Sequence, residues 1–70
     1  MRADDLVRLL RRRAWRLGLL HEERPGKGSH LNVRHDGRPT VIPMHRGDLR
    51  SGTCRAILRQ LGLRWEDLEE

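Results

Sequence analysis

Seventy residues are expected to fold as one domain, residues 1–70, at the lower end of independently stable sizes, which leaves little room for a large cofactor cavity. The lone cysteine, Cys54, rules out an internal disulfide, and the apolar runs are only a few residues long, far short of the ~20 needed to span a membrane. Lys+Arg total 15 against 10 Asp+Glu, a net charge of +5, and all but one of the cations is arginine, which favours a polyanion or an acidic protein surface as partner. With Trp15 and Trp65 the only aromatics, a platform that stacks successive bases is poorly supplied.

In chain order, Leu6, Leu9, Leu10 and Ala14 recur at helical spacing behind Asp4 and Asp5, a first amphipathic helix with negative charge at its N-terminus. Arg8, Arg11 and Arg12 occupy its other side. At Trp15 the helical period fails. Leu17 and Leu19 then alternate with Arg16 and Gly18, which predicts a first strand there, followed by a polar loop over Glu23-Arg24-Pro25-Gly26-Lys27-Gly28-Ser29. A second strand, His30 to His35, leads to the turn pair Asp36-Gly37, and a third short run, Thr40-Val41-Ile42, ends at Pro43. Cys54, Ile57, Leu58 and Leu61 repeat the helical pattern before Gly62, a second helix with Ser51 or Thr53 as its expected cap. Trp65 and Leu68 form a last turn. The fold class is therefore α+β, ordered α-β-β-β-α, with two helices on one face of a three-stranded antiparallel sheet and the other face open.

Two-residue alternation along the second strand separates Leu31, Val33 and His35 from His30, Asn32 and Arg34. If the apolar set faces the helices, His30 faces out, directly after a Gly-Lys-Gly-Ser loop that suits a phosphate. Histidine is the side chain best placed to move a proton at neutral pH, and RNA carries its own nucleophile in the 2′-hydroxyl. Against this stands the plain alternative of an exposed strand histidine with no task. Lys27, Ser29, Arg34 and Arg46 are the candidate phosphate or RNA contacts. His45 reads as a loop-capping residue more than a proton carrier, His35 as a packing or turn residue, and His21 has no distinguishing neighbour. No C-x-x-C or H-x-x-x-H pairing supports a metal site, no cofactor is called for, and Cys54 falls in an apolar helical stripe as a small core residue. The remaining helical arginines, 55 and 59 among them, read first as a solvated face that could also follow phosphates.

Gly28-Ser29-His30, Pro43-Met44-His45, Gly52-Thr53 and the helix end Ile57-Leu58-Arg59-Gln60-Leu61-Gly62 occur as an ordered set across nearly the whole chain. Together they resemble the HicA family of mRNA interferase toxins. The resemblance implies a double-stranded-RNA-binding-like fold, metal-independent endoribonuclease activity on mRNA, and inhibition by a HicB-type antitoxin, with His30 in the catalytic position of the glycine-serine-histidine motif; the short apolar runs point to a cytoplasmic chain. Many members carry a second histidine next, where this chain has Leu31. The free chain is expected to be a monomer with no membrane association. The alternative function is a non-catalytic double-stranded-RNA-binding module; an adaptor for an acidic protein surface ranks behind both.

Overall fold

The computed structural model describes residues 1–45 and 47–69. The element order is helix α1 (Ala3–Leu17), strands β1 (His21–Pro25), β2 (His30–His35) and β3 (Arg38–Pro43), helix α2 (Ser51–Leu61) and a 3-10 turn, Trp65–Leu68. This is the α-β-β-β-α order and the α+β class expected from the sequence.

Helix α1 buries Ala3, Leu6, Val7, Leu10 and Ala14. It runs past Trp15, which is 89% exposed, and stops at Gly18, whose left-handed φ of 67° lets its N–H bond back to the Ala14 carbonyl. The strand expected from Trp15 up to the loop at Glu23 is therefore, in its first part, the last helical turn and its cap. The Leu17-Gly18-Leu19 alternation is three residues long, and the glycine in it is a helix stop, not a strand position. The strand itself begins at His21 and takes in Glu23, Arg24 and Pro25, residues assigned from the sequence to a loop. Its inward positions are His21 and Glu23, both part-buried, so the apolar alternation that marks a half-buried strand is absent.

The sheet order is β1-β2-β3, each pair antiparallel. Asp36 and Gly37 close the β2–β3 hairpin with φ of 51° and 83°, the double positive φ of a type I′ turn. Strand β3 starts two residues earlier than the apolar run implied, at Arg38, with Pro39 in it, tolerated because β3 is an edge strand. In β2, Val33 and His35 are buried and Leu31 part-buried, while His30, Asn32 and Arg34 are exposed. Helix α2 seals the inward face with Cys54, Ile57, Leu58 and Leu61. The Thr40 hydroxyl donates to Gln60 Oε1 at 2.6 Å, pinning α2 to β3. Helix α2 begins without the expected side-chain cap: Arg50 occupies the N-cap position and makes no capping hydrogen bond with its side chain, and Ser51 and Thr53 lie inside the helix. Leu68 of the terminal turn, 4% exposed, joins the core from its edge.

Candidate functional site

The two hairpin loops and the segment after β3 place the candidate residues at different ends of the open sheet face. The β1–β2 loop is tight: the Gly26 N–H donates to the His30 carbonyl at 2.9 Å, and the His30 N–H donates to the Lys27 carbonyl at 3.0 Å. Gly28 supplies the positive φ, 56°, at the first central position of that turn, the pattern of a type II′ hairpin. The Met44 N–H donates to the Ser29 carbonyl at 2.7 Å, and His30 pairs with Pro43 across the sheet. The glycine-serine-histidine and proline-x-histidine motifs, far apart in sequence, therefore meet at one end of the sheet, and His45, exposed, follows one residue after that contact.

The His30 side chain is exposed, and its Nδ1 lies 3.0 Å from the Lys27 carbonyl oxygen. A carbonyl can only accept, so Nδ1 carries the proton and donates it, and the neutral ring presents Nε2 as an open acceptor. The loop thus selects the tautomer in which Nε2 is the basic atom, and aims the ring. Lys27 and Ser29 flank it, both exposed. Arg34 shares the open face but stands four residues along the strand, about 13 Å away, where its Nη1 donates to the Gly37 carbonyl at 3.0 Å. Arg34 is therefore not gathered around the same point as His30 and Lys27. Arg46 lies outside the described residues. Among the described residues no group of three or more histidine, cysteine, aspartate or glutamate side chains is placed to hold a metal ion.

Two further residues on this face were missed from the sequence. The sequence places Arg24 in a loop and Asn32 at a non-apolar strand position; in the sheet they pair directly. The signal for Arg24 lay in the register of β1, which polar inward residues concealed.

The opposite end of β2 holds a second polar assembly, on the covered side. His35 is 1% exposed. Arg13 Nη1 approaches its Nε2 at 2.9 Å, and since a guanidinium only donates, His35 Nε2 accepts and its Nδ1 carries the proton. That Nδ1 lies 2.9 Å from His21 Nδ1, which must then accept. His21 Nε2 in turn donates to Glu23 at 2.7 Å, and Glu23 takes two hydrogen bonds from Arg11. Each ring N–H of His35 and His21 thus meets an acceptor, while Arg13 Nε is buried with no hydrogen-bond partner among the described residues. Burial, with the neighbouring His21 and Arg13, pushes the His35 imidazole down to about 4, and the Arg11 hydrogen bond holds Glu23 below the usual carboxylate range. His35 packs as expected; the role of His21 as its partner had no sequence signal.

Comparison with known proteins gives the following. Residues 3–63 match the family model described as HicA toxin of bacterial toxin-antitoxin. A protein of Pseudomonas fluorescens (strain Pf0-1) named "Probable mRNA interferase HicA" is 41% identical over 44 residues, which span 61% of this chain and 73% of the relative.

Proposed function

From the premise that this chain belongs to the HicA toxin family, we propose that it is an mRNA interferase: a metal-independent endoribonuclease in which His30 is the general base. The observation that carries this reading is the hydrogen bond from His30 Nδ1 to the Lys27 carbonyl, which leaves Nε2 as a base on an exposed face beside a lysine and a serine. In the proposed step Nε2 takes the proton of a 2′-hydroxyl, the 2′-oxygen attacks the adjacent phosphorus, and the bond to the 5′-oxygen breaks as that oxygen takes up a proton. The product is a 2′,3′-cyclic phosphate. Lys27 and the Ser29 hydroxyl stabilise the charge that builds on the phosphoryl oxygens. The relative's name supports the mRNA substrate. The protein partner is a HicB-type antitoxin, the free toxin is a single-domain monomer, and both act in the cytoplasm. No helix is long and apolar enough to cross a membrane among the described residues.

Incubating a defined single-stranded RNA in EDTA with the wild type and with His30→Ala tests the mechanism. The wild type alone should cut, leaving 2′,3′-cyclic phosphate or 3′-phosphate ends. Cutting by both proteins removes His30 from the chemistry, and cutting that requires a divalent metal removes the mechanism. Salt-dependent RNA binding by both without any cutting replaces the reading with a non-catalytic RNA-binding module.

A further inference from the structure

We infer that the row of residues next to His30 on the open sheet face, Arg24–Asn32–Val41, binds the nucleotide adjacent to the cut, with Asn32 reading its base and Arg24 holding its phosphate. The inference rests on the reading of His30 as the cleavage base.

Arg24, Asn32 and Val41 are Cα partners across all three strands, so they form one row on one face. Alternation puts that row two residues from His30 along β2, about 7 Å, a step that one repeat of an extended sugar-phosphate backbone covers. All three residues are exposed, Val41 at 48%. Together with Glu22, Arg34 and Pro39 they line a shallow depression in the sheet.

The side chains of this row are uncommitted. Neither the Asn32 amide nor the Arg24 guanidinium makes a hydrogen bond or ion pair with any described residue. Arg8 and Arg11, by contrast, are held by Asp5 and Glu23. The Asn32 amide nitrogen lies over Gly26, where a Cβ would sit 3.3 Å from it, so a glycine keeps space open beside the amide. Among the described strand residues the one carboxylate on this face, Glu22, is the Cα partner of Arg34 at the far end, so the end holding Lys27, Arg24 and His30 is the one that suits phosphates.

Single-stranded RNA is the occupant this chemistry fits. A guanidinium holds a phosphate or lies flat on a base, an asparagine offers one acceptor and a donor side by side, and Val41 supplies an apolar patch for a ring. The asparagine pattern matches the N6/N7 edge of adenine. The row therefore favours adenine beside the cut.

The test is fluorescence anisotropy with labelled oligo-A, oligo-C and oligo-U in EDTA, using His30→Ala so that no strand is consumed. Oligo-A should bind about tenfold more tightly than oligo-U. Adding Asn32→Ala should erase that preference, and adding Arg24→Ala should weaken all three oligomers alike and lower the salt slope by about 0.7. Both side chains lie free on the surface, so neither change threatens folding. A preference and slope unmoved by these changes overturn the inference, as does absence of RNA affinity or an affinity that falls instead with Arg55→Ala and Arg59→Ala on α2. Because binding is read without His30, an uncleaving wild type whose binding follows this pattern would remove the cleavage mechanism and leave the binding row standing.

Discussion

Strand β2 begins and ends with a histidine, and the two ends differ in almost every physical respect. His30 is exposed, with one ring nitrogen tied to a backbone carbonyl and the other open. His35 is 1% exposed, with both ring nitrogens engaged by side chains. The cause is parity: five residues apart on a pleated strand means opposite faces. A histidine with one nitrogen oriented and one open is built to move a proton, whereas one with both nitrogens satisfied and the charged form suppressed is built to join elements. On the proposed mechanism the same residue type serves chemistry at one end of the strand, while at the other it serves architecture.

The strongest test of this contrast exchanges function against stability. His30→Ala should lower RNA cleavage by about a hundredfold or more, the contribution of a positioned base, with thermal stability unchanged, since the side chain is exposed and gives up one hydrogen bond to a loop carbonyl. His35→Ala should do the reverse. It opens a cavity and strips Arg13 and His21 of their partner, which costs about 3 kcal/mol, or ~15 °C in a domain of this size. Cleavage measured well below the melting point should persist. Loss of cleavage in folded His35→Ala would join the two ends and break the contrast.

Acid sharpens it further. The unfolded chain protonates His35 near the ordinary 6.5, whereas the native chain resists until about 4. Across that window the unfolded state binds the extra proton, so native stability is complete above about pH 6.5 and falls as pH drops, by at most about 1.4 kcal/mol per unit. Glu23, held below the usual carboxylate range by Arg11, adds loss in the same direction at the acid end. Urea melts between pH 7 and 4 should show the decline, and His35→Gln, whose side chain does not titrate, should flatten its upper part. A wild type equally stable at pH 7 and pH 4.5 would mean that the chain Arg13–His35–His21–Glu23 does not hold its neutral form.

Most of the architecture was legible because α2, β2 and the main part of α1 bury apolar residues at the period of their own geometry: Leu6 and Leu10, Val33, then Ile57, Leu58 and Leu61. Strand β1 was not, because it turns His21 and Glu23 inward. Those residues are compatible with the covered face only through Arg11, Arg13 and His35, in links that join positions 12 to 22 apart on different elements, and no local pattern reports such pairings. The same gap hid Arg24. Its place beside Asn32 depends on the β1 register, which follows from where the hairpin turns. His30 was legible on both counts, since its parity came from an apolar strand and its motif from adjacent residues. The open Nε2 was not, because it depends on where a turn aims the Lys27 carbonyl.

That carbonyl gives the finest division between the two ends. Gly28 and Gly37 sit in the two hairpin turns with φ of 56° and 83°, and a Cβ at either would meet nothing within 4 Å. Alanine at each therefore costs only backbone strain, about 1 kcal/mol, and the two melts should shift alike. Their effects on cleavage should not match. Relaxing the strain at residue 28 turns the peptide next to the Lys27 carbonyl, which accepts both the His30 N–H and its Nδ1–H, so the ring loses its aim and the bias towards an open Nε2. Gly28→Ala should lower kcat several-fold beyond what its melting shift explains, about 1 kcal/mol in the barrier, while Gly37→Ala, at the His35 end, should leave kcat unaltered. Equal kcat in the two variants would mean that the hairpin carries His30 without orienting it.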